Sequence, residues 1–509
     1  MSLVRSIASN TFWQIAGKVV AAILGIISIK FITNYLSRST YGEYTTIYDY
    51  TALFTIVADF GLFTIAVREM AHSNKKEIVE KIVGNVLSVR AALAVISLGL
   101  GVLAAGLIPA YRGSHIPYGV FIVSVATIIA LISGTMSSVL QFYLRMHWAS
   151  VALTVGKLIT VGYVVITILF LFPNNPEAGF PHLLLAWIVG GIVTILITYV
   201  ASSKLVPVHF QLDFSYWKEV ILKALPYGIA LVLGTIYFRM GTITLSLFGL
   251  KEQVGLYGVP LRFLEILQII PHYFMNSVLP ILTISLRDNG DRAVRVVRYS
   301  LNALAAIAFP ILVGGQLLAW PITAAVSSPE FLTHRGPAGF VWGSDLALKI
   351  LLVAMALTYL HVALSYALVA MGRQKELLWI NAITAVMNIA LNMILAPRFG
   401  FIGAAISAVV AEMIMFVGLL LRVRKQIRHI WDFAFFAKTA ASAALMGGVL
   451  FVSMNYFTGL LYAKSLFILI PLGGIVFAAA MFLTGAISKD MLALLKKTEA
   501  PAEIDGSSL

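Results

Sequence analysis

Cysteine is absent from the 509 residues, which excludes disulfide frameworks, thiolate metal sites, iron–sulfur clusters and cysteine nucleophiles. Charge is scarce too. Asp, Glu, Lys and Arg together make up 11% of the chain, against about 25% in an ordinary globular protein. Acids are the scarcer sign, 22 Asp+Glu against 36 Lys+Arg, for a net charge of +14. No GxxxxGK[ST] phosphate loop occurs, so the chain is not itself an ATPase, and no HExxH zinc motif occurs either. The histidines stand singly. No catalytic residue, metal site or cofactor is expected. No loop is long enough to be a domain, the longest being 321–345. Function must therefore be carried by helices and short turns.

What the chain has instead is apolar surface. Hydrophobic residues make up 60% of it and are spread over its whole length, which excludes a soluble enzyme on a single anchor. A spanning helix needs roughly 20 predominantly apolar residues. Fourteen such stretches can be read: 10–35, 44–67, 84–109, 118–143, 149–172, 182–203, 221–248, 255–284, 296–320, 346–370, 376–396, 400–421, 434–457 and 465–487. Transmembrane β-strands would be about 10 residues long and alternate apolar with polar, and runs such as Ala91–Gly106 do not alternate. The first stretch is expected to stay as a helix. It is too long for a cleaved leader, carries Lys18 and lacks a small-residue cleavage site. The expected fold is thus an all-α polytopic membrane protein.

Loop charge sets the orientation. With the N-terminus inside, inner segments hold 21 Lys/Arg and outer loops 6, which places both termini in the cytoplasm and supports an even span count. The net positive charge is then mainly this inner bias and calls for no nucleic-acid partner.

The first two spans and the seventh and eighth match at an offset of 213 residues. Tyr41-Gly42-Glu43-Tyr44 falls on Val254-Gly255-Leu256-Tyr257, Asp49 on Arg262, and Asp59 on His272. Six spans lie between the copies, so the repeat is parallel and its axis runs along the membrane normal. The expected organisation is a first lobe at 1–219 (spans 1–6), a second lobe at 220–432 (spans 7–12), two extra helices at 433–488 and a cytoplasmic tail at 489–509. Two six-helix lobes about a pseudo-twofold axis point to alternating access, with the substrate between them.

A charge at the bilayer centre costs about 2.5–3.5 kcal/mol on insertion scales, so it faces a cavity or a partner. Lys18, Lys30, Arg90, Lys157, Lys223, Arg239, Arg262, Lys349 and Lys438 lie in spans, with only four acids: Asp49, Asp59, Glu265 and Glu412. Lys223, Lys349 and Lys438 lie close enough to helix ends to snorkel. For Arg90 and Lys157, snorkelling and burial are equally open. Lys18, Lys30, Arg239 and Arg262 fall on the repeat-equivalent spans and form a candidate cationic path for an anionic headgroup such as phosphate or pyrophosphate. The competing reading is structural pairing: Arg262 and Glu265 are i,i+3, and Asp49 is placed to neutralise Lys30. Asp49, Asp59, Glu265 and Glu412 are candidates for ion coupling or charge pairing, with H⁺ or Na⁺ as the ion. Asn381, Asn388 and Asn392 share one helix face, a pattern that joins helices.

Read together, Tyr41-Gly42-Glu43-Tyr44, Ala58-Asp59-Phe60-Gly61-Leu62, Val254-Gly255-Leu256-Tyr257, Arg262-Phe263-Leu264-Glu265, Leu279-Pro280, Ala367-Leu368-Val369-Ala370-Met371-Gly372-Arg373-Gln374-Lys375 and Pro397-Arg398-Phe399-Gly400 resemble oligosaccharide flippases of the O-antigen (Wzx) type. That family lies within the multidrug/oligosaccharidyl-lipid/polysaccharide superfamily. The resemblance covers about residues 5 to 487. It implies two lobes in a V and transfer of polyprenyl-pyrophosphate-linked glycans across the cytoplasmic membrane for cell-surface polysaccharide. It further implies a cationic cavity in which Lys18, Lys30, Arg239 and Arg262 meet the headgroup. Membrane lipids, and other polysaccharide-assembly proteins, would be the remaining partners. One departure stands out. Relatives often carry an acid just after the seventh-span Arg, whereas here Met240-Gly241 follow, which leaves Arg239 without an acid next to it in sequence. The alternatives are a multidrug exporter of the same superfamily, which Lys18 and Lys30 argue against, and a membrane-embedded glycan polymerase or ligase, which would leave the repeat unexplained.

Overall fold

The computed structural model describes residues 3–72, 75–288, 290–337, 339–427 and 429–486. The expected tail at 489–509 lies outside the described residues, as does Arg428 of the inner charge count. The described helices are α1 (Leu3–Tyr35), α2 (Arg38–Asp59), α3 (Leu62–Ala71), α4 (Lys76–Leu107), α5 (Ile116–Phe142), α6 (Met146–Ile166), α7 (Pro176–Ser203), α8 (Phe214–Leu247), α9 (Lys251–Leu267), α10 (Ile269–Asp288), α11 (Gly290–Val326), α12 (Ser344–Ala370), α13 (Gln374–Arg424), α14 (Phe433–Leu461) and α15 (Leu466–Leu483). Between α11 and α12 a small antiparallel hairpin pairs β1 (His334–Gly336) with β2 (Gly339–Val341).

Inside a bilayer every backbone group must find its partner within the protein, and helices do this locally. Thirteen helical stretches are long and apolar enough to cross. One of them, Gln374–Arg424, has 51 residues. As a straight helix it would be about 76 Å long, more than twice the roughly 30 Å hydrocarbon core. It is not straight. Gly400 stands at φ 58°, ψ −138°, a left-handed backbone that glycine adopts without a Cβ clash, and the two arms of α13 fold back on one another. Asn388 Nδ2 donates to the Ser407 carbonyl at 3.5 Å, and a Cβ on Gly418 would touch Ile380. With α13 counted as two arms, the described residues hold fourteen stretches able to span.

The second span of each lobe is broken. α2 passes to α3 through Phe60 and Gly61, both at positive φ. α9 gives way to α10 at Gln268, three residues before Pro271, whose missing N–H cannot join the helix ladder. Six spans (α1 to α7, with α2 and α3 as one) form the first lobe, and six (α8 to α13) the second. α1 packs on α6 as α8 packs on α13, and α4 on α5 as α11 on α12. These pairings correspond, as a parallel repeat requires. α14 and α15 pack against α11, around Leu318, Met446, Leu450 and Leu469.

The lobes meet along α2 and α9. A Cβ on Gly42 would overlap the Lys251 carbonyl, and one on Gly255 would overlap the Arg38 carbonyl. Gly42 and Gly255 are 213 apart, and so are Arg38 and Lys251. Each glycine thus admits the other lobe's first turn, and the pseudo-twofold axis passes between them. Tyr41, Tyr44 and Ile47 of α2 share one buried cluster with Val254, Leu256 and Tyr257 of α9. The lobes are closed at this end, the side of the membrane carrying the α1–α2 turn. The segment between α7 and α8 is tied to the first lobe. Asp213 N donates to Asn85 Oδ1 at 2.9 Å, and Lys81 Nζ lies 2.9 Å from Asp213.

Candidate functional site

Just below the glycine contact the same helix faces present charge. Gly42, Thr45 and Asp49 lie at i, i+3 and i+7 on α2, and Gly255, Gly258 and Arg262 repeat that spacing on α9. The stripe brings Asp49 to Arg262, its own repeat counterpart, with Arg262 Nη2 2.9 Å from Asp49 Oδ1. Arg239, on α8, reaches the same oxygen at 2.6 Å. Glu265 closes the group, with Oε1 at 2.7 Å from Arg239 Nη1 and 3.0 Å from Arg262 Nη1. The Asp49 side chain is wholly buried, while the two arginines and Glu265 keep partial exposure. Asp49 Oδ2 is buried with no hydrogen-bond partner. Two cations and two anions balance, as a charge cluster withdrawn from water requires. Asp49 comes from the first lobe and the other three from the second, so the cluster joins the lobes.

The i,i+3 pair read from the sequence is present, but Arg239 does not lack acids. Its two partners come from α2 and α9 rather than from its own helix, which replaces the expectation drawn from Met240-Gly241. Asp49 does not neutralise Lys30. The Lys30 ammonium instead donates to the carbonyls of Ala324 and Ser327, at 2.8 and 2.6 Å, at the end of α11. Exposed carbonyls at a helix C-terminus suit a cation, and this contact also spans the lobes. Lys18 is separate from the cluster, exposed on α1 with Nζ 4.6 Å from the Tyr273 ring centre. Asp59 pairs with Arg90 inside the first lobe. Glu412 sits within the second lobe, 2.6 Å from His361 Nε2. Of the eight candidate residues, the structure thus gathers Asp49, Arg239, Arg262 and Glu265, and leaves Lys18, Lys30, Asp59 and Glu412 apart.

Sequence reasoning missed three partnerships. Glu43, inside the Tyr41-Gly42-Glu43-Tyr44 motif, is buried and accepts from Lys251 Nζ and His115 Nδ1, each at 2.6 Å. It forms a second charged link between lobes. His361, one of the singly standing histidines, pairs with Glu412. Lys157 holds its ammonium 4.2 Å from the Trp187 ring centre. None of the three has a local spacing signal, because each partner lies on a different helix.

The family model for polysaccharide biosynthesis proteins matches residues 7–285, which is more than half of the chain. The chain belongs to the polysaccharide biosynthesis protein family. Among curated proteins it is similar to the probable flippase AglR of Haloferax volcanii, 29% identical over 226 residues, or 43% of this chain and 45% of that protein. The match thus spans less than half the length of that relative. In fold, the chain is similar to a lipid II flippase MurJ in its inward closed conformation, with a TM-score of 0.72 and 14% identity over 94% of this chain and 99% of that one. It is also similar to an inward-facing multidrug resistance MATE family transporter of the MOP superfamily, with a TM-score of 0.62 and 14% identity over 79% of this chain and 95% of that one. At such identity these likenesses show the fold alone.

Within this family member, the chemistry open to the cluster is exchange of partners. While the lobes touch, Asp49 holds both arginines. If they part, Asp49 leaves with the first lobe, and Arg239 and Arg262 keep only Glu265 between them. Two guanidiniums with one carboxylate carry a net positive charge and free N–H groups in the fork geometry that matches phosphate.

Proposed function

We propose that this chain is a flippase that moves a polyprenyl-pyrophosphate-linked oligosaccharide across the cytoplasmic membrane by alternating access, in the assembly of a cell-surface polysaccharide such as O-antigen. The observation that carries this reading is the Asp49–Arg262 pair. A charge pair between repeat-equivalent residues of two lobes, on their pseudo-twofold axis, is a link that opening breaks and that an anionic headgroup can replace. Lys18, Lys30, Arg239 and Arg262 are the headgroup cations of this reading. Arg239 and Arg262 become available on opening, as does Lys30 once α1 leaves α11. With both termini in the cytoplasm, the closed end faces outward and the substrate enters from inside. Asp49, Asp59, Glu265 and Glu412 are the acids through which H⁺ or Na⁺ biases the two states, and such a bias is no larger than the ion's differential affinity for them.

The test is flipping in proteoliposomes of a pyrophosphate-linked oligosaccharide lipid, read by access of an outside lectin or hydrolase. The parent translocates it, Arg239→Lys and Arg262→Lys keep part of the rate, and Arg239→Ala with Arg262→Ala abolishes it at unchanged protein level. Full activity of the double alanine variant refutes the headgroup role. Resistance to organic cations in cells expressing the parent, with no flipping, would favour drug export instead.

A further inference from the structure

The membrane cations sort by what holds them. Arg90, Arg239 and Arg262 have carboxylates, Lys223 has Glu69 and Glu219, and Lys30 and Lys438 have backbone carbonyls. Lys18 and Lys157 rest on aromatic rings instead; Lys18 is exposed, and Lys157 is the partly buried one. It lies mid-span on α6, half-buried, and no ion pair to it occurs among the described residues. Its ammonium rests on the Trp187 ring of α7. Tyr48 of α2 stands beside that ring, 5.0 Å between centroids, and Tyr44 lies 4.7 Å from Tyr48. The Tyr48 hydroxyl is buried, beside that of Tyr44. Tyr48 precedes Asp49 in the chain, and the Asp49 carboxylate lies 2.9 Å from Arg262 Nη2 of the other lobe. A cation over a π face is held more weakly than one hydrogen-bonded to an anionic oxygen.

We propose that Lys157, Trp187 and Tyr48 form an anion subsite on the first lobe, opposite Arg262. An anionic oxygen group of the substrate draws the Lys157 ammonium off the indole and accepts a hydrogen bond from the Tyr48 hydroxyl, and the bared indole face stacks a sugar ring. The proposal rests on the flippase reading and deepens it: the substrate would be gripped from both lobes, by Arg239 and Arg262 on one side and Lys157 on the other. The same oxygen chemistry is offered by a pyrophosphate headgroup and by the carboxylate of an acidic sugar.

The experiment uses the full chain in nanodiscs and four probes: farnesyl pyrophosphate, farnesol, a disaccharide carrying one glucuronate, and its neutral glucose counterpart. Affinity is read by calorimetry, and the Trp187 signal as parent emission minus that of Trp187→Phe. At least one anionic probe should change Trp187 emission. Lys157→Gln should weaken that probe tenfold or more, Lys157→Arg should stay within threefold, and farnesol should bind the parent and Lys157→Gln alike. A response confined to farnesyl pyrophosphate assigns the subsite to the headgroup, and one confined to the glucuronate probe assigns it to the glycan. Lys157→Met repeats the test with a side chain the bilayer tolerates, so that misfolding of one variant does not decide it. If the parent binds an anionic probe and Lys157→Gln, Lys157→Met and Tyr48→Phe all bind it within twofold, the subsite is overturned while the flippase reading stands. If the parent binds neither anionic probe, the subsite is overturned as well, and loss of flipping by the parent in proteoliposomes would then separately overturn the flippase reading.

Discussion

α1 and α8 occupy equivalent places in the repeat, yet they meet the opposite lobe differently. α8 lies along α2 for much of its length. A Cβ on Gly228 would strike Phe60, Lys223 reaches Glu69 at 3.0 Å, Arg239 reaches Asp49, and near the far end Ser246 bonds Tyr111 at 2.8 Å. Among the described residues α1 meets the second lobe through Lys30, near its C-terminal end, and through Lys18 over Tyr273, and Gly25 faces open space. A symmetric repeat has thus produced one sealed seam and one loosely covered seam. The difference is written in the residue types. At the 213-residue offset Arg239 corresponds to Ile26 and Gly228 to Ile15. α1 therefore lacks both the charge that holds α8 across the boundary and the glycine that lets α8 approach Phe60.

The largest expected break of this comparison is at Arg239. Arg239→Met leaves Asp49 and Glu265 sharing one arginine, and removing one partner of a buried ion pair costs about 3–5 kcal/mol. A fall of several degrees in the thermal midpoint of the detergent-solubilised protein would register it. The contact on α1, changed by Lys30→Met, loses two charged hydrogen bonds to carbonyls, at about 1.5–3 kcal/mol for a bond of this kind. It should mainly raise hydrogen exchange where α1 meets α11. Third comes packing alone. Gly228→Val forces Phe60 to move, at about 1–3 kcal/mol, whereas Gly25→Val should stay within about 0.5 kcal/mol. Equal effects at the two glycines would remove the contrast between the seams.

The smallest effect lies outside the spans. The Lys81 ammonium, and then the Tyr216 amide, hold the Asp213 carboxyl below its ordinary value. A carboxyl depressed in the folded state adds stability above its unfolded pKa, about 3.9, and loses it as pH falls through the folded value. The stability gap between parent and Asp213→Asn should therefore be flat from pH 7 to 5 and close below about pH 4. A gap that changes between pH 7 and 5 would assign it to another group.

The sequence made the spans legible because apolar length alone decides them, and the separate stretches 376–396 and 400–421 fall on the two arms of α13 either side of Gly400. The 213-residue offset was legible because Gly42 and Gly255 must both admit a backbone, which preserves their spacing. The Arg262–Glu265 pair was legible from helical periodicity. Periodicity gives the face a residue occupies on its own helix and nothing about what that face meets. Periodicity therefore does not place Asp49 and Glu265 beside Arg239, the Ala324 and Ser327 carbonyls at Lys30, Lys251 at Glu43, His361 at Glu412, or Lys157 on Trp187.

The central claim is that the α2–α9 contact must open in every transport cycle. The chain has no cysteine, so a designed pair reports without background. A Cβ at Gly258 would stand 3.2 Å from Thr45 Cβ, close to the roughly 3.5–4.5 Å of a disulfide. Thr45→Cys with Gly258→Cys should cross-link on oxidation, stop flipping of the lipid-linked oligosaccharide, and recover on reduction, while each single variant stays active. Undiminished flipping with the disulfide fully formed would contradict the account.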